Sequence, residues 1–155
     1  MRALPDIFAI WFASKGWSIH PHQQDMLNRA DDPALLLIAP TGGGKTLAGF
    51  LPTLAELSDG THEGLHTLYI SPLKALAADI KRNLTTPVTE MALPIRIEDR
   101  TGDTPATRKR RQRADPPHIL LTTPESLALL TSYPDAPHIF KGLKRVIVDE
   151  IHALA

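Results

Sequence analysis

Four short apolar runs punctuate the chain: Leu35-Leu36-Leu37-Ile38-Ala39, Thr67-Leu68-Tyr69-Ile70, His118-Ile119-Leu120-Leu121-Thr122 and Arg145-Val146-Ile147-Val148. None alternates apolar with polar positions, which predicts strands covered on both faces, as in a parallel sheet. Ile95-Arg96-Ile97-Glu98 does alternate and predicts a weaker strand at an edge. Between the runs the apolar spacing becomes helical. Leu47, Phe50, Leu51, Leu54 and Leu57 form one stripe, in which Pro52 is expected to bend or end the helix early. Leu73, Leu76, Ala77, Ile80 and Leu84 form a second, and Phe8, Trp11 and Phe12 share a helical face near the start. Strands alternating with helices predict an α/β fold, a parallel sheet with helices on both faces.

Composition narrows the function classes. The 155 residues are 43% hydrophobic, enough for one domain with a buried core. Seventeen Lys and Arg balance seventeen Asp and Glu, so attraction for a polyanion must come from local charge. There is no cysteine, which excludes a disulfide framework and Cys-based zinc sites. A zinc-peptidase pattern is likewise not expected among the histidines. Pro5 and Asp6 interrupt the apolar start, so no secretory signal is expected. No run approaches the roughly 18 apolar residues of a membrane span, and a cytoplasmic chain without a membrane partner is expected.

Ser71-Pro72, Thr104-Pro105 and Thr123-Pro124 each place a hydroxyl residue before a proline, the pattern of a helix N-cap followed by its first turn. Such helix starts present free N–H groups to anions. The most informative segment is Ala39-Pro40-Thr41-Gly42-Gly43-Gly44-Lys45-Thr46, between an expected strand and an expected helix. Glycines allow successive N–H groups to turn inward around a phosphate chain. Thr41 to Thr46 is therefore read as a phosphate loop for ATP. Lys45 would reach the β- and γ-phosphates, and the Thr46 hydroxyl would ligate Mg2+. Ala39 stands where the first glycine of the usual pattern would be. Val146-Ile147-Val148 then runs into Asp149-Glu150. Asp149 would hold Mg2+, and Glu150 would deprotonate the water attacking the γ-phosphate. Both motifs fall at carboxyl ends of strands, where open α/β sheets bind ligands.

These motifs resemble those of superfamily 2 helicases. Ala39 to Thr46 is similar to motif I, Tyr69-Ile70-Ser71-Pro72-Leu73-Lys74-Ala75-Leu76 to motif Ia, and Asp149-Glu150-Ile151-His152 to motif II in its DExH form. Thr101-Gly102-Asp103 and Thr122-Thr123-Pro124-Glu125-Ser126-Leu127 resemble the elements between. The wording is most similar to the Lhr (large helicase-related) family, in its ligase-associated branch. The resemblance implies a RecA-like P-loop NTPase fold over 1–155, the first helicase ATP-binding domain, with 1–34 a helical region carrying a Q-motif-like segment. It implies that Gln23 reads adenine and that His152 couples the nucleotide site to other helicase motifs. It places Ser71, Pro72, Lys74, Thr101, Gly102, Thr123 and Pro124 against a nucleic-acid backbone.

Arg100 and Arg108-Lys109-Arg110-Arg111-Gln112-Arg113 would add sequence-independent attraction, or form a solvated helix face. The implied activity is ATP-dependent translocation on, or unwinding of, single-stranded or duplex nucleic acid, DNA favoured over RNA, in DNA repair. The resemblance further implies a second RecA-like domain of the same parent chain, bearing the arginine finger. Residues 1–155 alone are then expected to be inactive, truncated after the motif II strand, with apolar surface exposed where the sheet lacks a neighbour. An RNA helicase, a P-loop kinase and a nucleic-acid-binding module without turnover remain open alternatives.

Overall fold

A computed structural model describes residues 1–39 and 44–154. Four parallel strands, β1 (Thr67–Ile70), β2 (Ile97–Arg100), β3 (Ile119–Thr122) and β4 (Arg145–Val148), form one sheet in the order β2-β3-β1-β4. In register, Tyr69 of β1 lies beside Leu121 of β3 and Ile147 of β4. Helices cover both faces. One side carries α1 (Asp6–Ser14), α2 (Pro21–Asn28), α3 (Lys45–Leu57) and α4 (Lys74–Glu90), whose Phe8, Trp11, Phe12, Leu27, Phe50, Leu51, Leu54, Ile80 and Leu84 meet Tyr69, Ile119 and Leu121. The other carries α6 (Pro124–Ser132) and α7 (Ala136–Phe140), packed on Leu65, Leu68 and Leu120. α5 (Ala106–Ala114) joins β2 to β3. The expected α/β architecture is formed, with β2 as the expected edge strand, shifted two residues along the chain.

Several local expectations are corrected. Residues 35–39 do not form a strand. They keep the alternation of one, with Leu36 73% and Ile38 85% exposed while Leu35 and Leu37 are half-buried. A strand exists only through a partner's hydrogen bonds, and β4, the terminal strand on that side, is not paired to this segment. For the same reason β4 is not covered on both faces: Val146 and Val148 are exposed. Pro52 does not end α3, which continues to Leu57. A proline inside a helix costs about 3 kcal/mol. Burying Leu54 and Leu57 beyond it returns about 1.5–3 kcal/mol each, so continuation wins.

Of the three expected proline caps, only Thr123 is one, accepting the Ser126 N–H at 3.3 Å ahead of Pro124. Ser71 instead accepts the Leu73 N–H at 3.2 Å in a turn, and α4 starts at Lys74. Thr104 accepts the Thr101 N–H at 3.0 Å, and α5 starts after Pro105. In both places a nearer backbone donor claims the hydroxyl, which is the usual competition between Ser or Thr turns and helix caps.

Candidate active site

A cavity of about 440 Å3 runs along β4, from Lys144 and Arg145 at the amino end to Lys45, Thr46, Tyr69, Asp149, Glu150 and His152 at the carboxyl end, with Leu35, Leu36 and Leu37 also lining it. Thr41, Gly42 and Gly43 lie outside the described residues. Gly44 is the N-cap of α3 with φ +74°, and a Cβ there would stand 2.8 Å from Gln23 Nε2. Only glycine satisfies both the left-handed backbone and the close approach of α2. Gln23 is 2% exposed. Its Oε1 accepts the His20 N–H at 2.9 Å, and its Nε2 lies 3.5 Å from the Gly44 carbonyl. The structure therefore brings Gln23 to the end of the phosphate-loop segment. His20 and His22 stack with ring centroids 5.4 Å apart.

Lys45 Nζ and Asp149 Oδ1 face each other at 4.0 Å across the cavity. Asp149 continues the β1–β4 ladder by donating its N–H to the Ile70 carbonyl at 2.9 Å. Its carboxylate accepts the Tyr69 hydroxyl on Oδ2 at 2.7 Å and the Glu150 N–H on Oδ1 at 2.8 Å. Burial and then the Asp149 carboxylate hold the Tyr69 phenol far above its ordinary range, so it stays a donor. Glu150 has φ +53°, a left-handed conformation costing a non-glycine residue about 1–3 kcal/mol. Strain of that kind clusters at functional sites. Glu150 Oε2 lies 3.0 Å from Nε2 of His152, which is otherwise exposed.

The cavity holds no preformed cage of ligating side chains: among the described residues no group of three His, Cys, Asp or Glu side chains could hold an ion. Asp149 and Thr46 both line the cavity and are the residues that could hold a metal ion there.

The residues assigned to a nucleic-acid face divide. Ser71, Thr101 and Thr123 are buried, their hydroxyls accepting the Leu73, Asp103 and Ser126 N–H groups. Lys74 and Gly102 are exposed, with Lys74 bonded to Asp103 at 2.8 Å, while Pro72 and Pro124 are half-buried. Two arginines of the basic run, and Arg100 before it, are engaged within the fold. Arg100 is 2% exposed and donates to the Lys109 carbonyl and Gln112. Arg111 pairs with Glu98. Arg113 forks onto Asp135 and stacks 3.7 Å from the Tyr133 centroid. Arg108 and Arg110 remain exposed.

Sequence reasoning missed three features. The chain does contain the H-E-x-x-H spacing, as His62-Glu63-Gly64-Leu65-His66. It carries no zinc chemistry, because the segment is not helical and the imidazoles are occupied elsewhere. His62 Nε2 contacts the Leu65 carbonyl at 3.3 Å, while His66 bonds Thr67 at 2.7 Å and Glu56 at 3.0 Å. The second is the network of Glu56, His66 and Arg145 at the opposite end of the sheet. Burial pushes the Glu56 carboxyl up, but bonds from His66 and Arg145 more than offset this and hold it down at about 2. The third is Tyr69, whose only signal is a phenol inside an otherwise aliphatic and threonine strand.

A family model described as DEAD/DEAH box helicase matches residues 20–155. The chain is 40% identical to the ATP-dependent helicase Lhr-Core of Methanocaldococcus jannaschii, over 93% of its own length and 19% of that protein's. It is 42% identical to the Lhr helicase/probable uracil glycosylase of Mycolicibacterium smegmatis, over 94% of the chain and 10% of the relative. The solved structure of Mycobacterium smegmatis helicase Lhr bound to ssDNA and AMP-PNP superimposes with a TM-score of 0.87 at 41% identity, covering 98% of this chain and 21% of that one. The DUF1998 helicase MrfA bound to DNA and AMPPNP gives 0.84 at 27% identity, covering 97% and 21%. The chain thus spans about a fifth or less of the length of these relatives. Its parallel sheet is the RecA-like fold of those helicases, and the chain belongs to the DEAD/DEAH box helicase family.

Proposed function

We propose that residues 1–155 belong to the first RecA-like, ATP-binding domain of an ATP-dependent DNA helicase or translocase, with 1–34 as its N-terminal helical, adenine-reading region. The observation that carries this reading is the Lys45–Asp149 approach of 4.0 Å across one cavity, with Glu150 next in the chain. Phosphoryl transfer requires a cation on the transferred phosphate, a metal ligand and a proton acceptor for water. Lys45, Asp149 and Glu150 would fill those three roles. Mg2+, when bound, neutralises charge developing on the phosphate oxygens.

Lys45 would bind the β- and γ-phosphates as part of the phosphate loop Thr41, Gly42, Gly43, Gly44 and Thr46, and Thr46 and Asp149 would hold the metal. Gln23 faces the adenine edge with its amide, and Glu150 takes the proton of the attacking water. His152, in contact with Glu150, passes the state of the nucleotide to neighbouring motifs. A DNA strand runs past Lys74 and Gly102, with Pro72, Pro124 and the turns built by Ser71, Thr101 and Thr123 shaping that edge. Support for DNA comes from the Mycobacterium smegmatis Lhr helicase, whose similar domain belongs to a protein solved with ssDNA bound. A second RecA-like domain of the parent chain supplies the missing wall and arginine finger, and the role is in DNA repair in the cytoplasm. No helix among the described residues is long and apolar enough to cross a membrane.

The test is ATP turnover by the full-length protein with and without single-stranded DNA. Lys45→Ala removes a charge-assisted contact worth about 1.5–3 kcal/mol, so ATP affinity falls roughly ten- to a hundredfold and turnover is lost. Wild-type turnover in that variant would overturn the reading.

A further inference from the structure

The phenol of Tyr69 is used in a way that the nucleotide chemistry above does not account for. Its ring is 1% exposed, packed against Phe50 of α3 with centroids 5.6 Å apart. From that anchored ring the hydroxyl emerges at the floor of the cavity and donates to Asp149 Oδ2 at 2.7 Å. The same strand also fixes the Asp149 backbone, because the Ile70 carbonyl accepts its N–H at 2.9 Å. β1 therefore holds Asp149 at two points, one on the main chain and one on the carboxylate.

The other oxygen, Oδ1, accepts the Glu150 N–H at 2.8 Å and lies 4.0 Å from Lys45 Nζ. A carboxylate bonded once at each oxygen retains further lone pairs on both, in a fixed plane. Without the phenol, Asp149 could rotate and close on Lys45, occupying the ammonium that the phosphates need. We infer that Tyr69 is a positioning residue that fixes the plane of the Asp149 carboxylate for the magnesium–nucleotide complex. This rests on the reading of Asp149 as the metal-holding carboxylate. The aromatic ring suits the task because Phe50 and the core clamp it, leaving the hydroxyl little freedom. Groups that orient a metal ligand from outside its coordination sphere typically contribute ten- to a hundredfold to metal affinity.

The experiment uses the full-length protein with Mn2+ replacing Mg2+ and a non-hydrolysable ATP analogue, free Mn2+ being counted by electron paramagnetic resonance. Tyr69→Phe keeps the ring and its packing and removes only the donor. Half-saturation by Mn2+ should rise about tenfold, while the thermal midpoint of the metal-free protein stays at the wild-type value. A lowered thermal midpoint with unchanged Mn2+ affinity would make the hydroxyl purely structural and overturn the inference. Asp149→Ala is titrated beside it. If Asp149→Ala weakens Mn2+ binding and Tyr69→Phe does not, the positioning role is wrong and the reading of Asp149 stands. If neither weakens it, both fall.

Discussion

Acidification should loosen the amino end of the sheet, in large part through the Glu56 carboxyl. Glu56 of α3 bonds His66 at 3.0 Å and Arg145 of β4 at 2.9 Å, while Arg145 also reaches Thr53 and the Ala30 carbonyl. Against its ordinary 4.5, the carboxyl sits at about 2. At about 1.4 kcal/mol for each tenfold difference in proton affinity, that favours the folded state by roughly 3 kcal/mol. Because the folded value is the lower one, this contribution is complete above pH 4.5 and falls away toward pH 2. Roughly 2 kcal/mol of it is gone by about pH 3.

Neighbouring His118 is also held below its ordinary value, first by burial and then by Arg96, so its share is lost from pH 6.5 downward. The assay is hydrogen exchange of the Thr67–Ile70 amides in the full-length protein, corrected for intrinsic rates, from about pH 7 to about pH 3. Wild type should lose opening free energy in two stages, and Glu56→Gln should shrink the lower one. An identical fall in wild type and Glu56→Gln over the lower, carboxyl range would refute the assignment.

Two glycines of one helix region should respond oppositely to alanine. Gly44→Ala costs about 1–2 kcal/mol for a left-handed L-residue and must displace Gln23, so the thermal midpoint and ATP affinity both fall. Gly49→Ala, in the middle of α3, meets nothing among the described residues within 4 Å and should stabilise by about 0.5–1 kcal/mol. Equal effects on thermal unfolding would count against the α2–phosphate-loop contact. The 155 residues alone should show no DNA-stimulated ATP turnover, since an arginine finger is worth about 10³–10⁵ in rate in related systems. Stimulated turnover in a monodisperse preparation would contradict the two-domain mechanism.

The pattern of apolar residues carries the fold where the pattern's consequence is local or doubly constrained. β1 and β3 are flanked by strands on both sides and covered by helices, so their apolar runs become strands as read. Residues 35–39 are apolar as well and remain unpaired, because pairing depends on an edge elsewhere in space and not on propensity. Lys45 and the Asp149-Glu150 pair stand out in the sequence because phosphate chemistry favours those residue types, and the structure brings them to one cavity. Tyr69 is not, since a tyrosine in a buried run looks like packing until its hydroxyl is located. The H-E-x-x-H spacing misleads in the other direction. Its two histidines serve a zinc site only on a helix, where four residues bring them to one face, and here Gly64 lies in an irregular segment with φ +74°. The basic run 108–113 offers less charge to a phosphate track than its composition suggests, in part because Glu98 and Asp135, distant in sequence, claim two of its arginines.

The central claim, that this cavity binds ATP and that Glu150 drives its hydrolysis, is tested most directly by separating those two steps. Glu150→Gln in the full-length protein preserves shape and hydrogen bonding but cannot accept a proton. DNA-stimulated turnover should fall about 10²–10⁴-fold while ATP affinity stays near wild type. Turnover that survives while only Mg2+ dependence changes would make Glu150 a metal ligand and contradict the account.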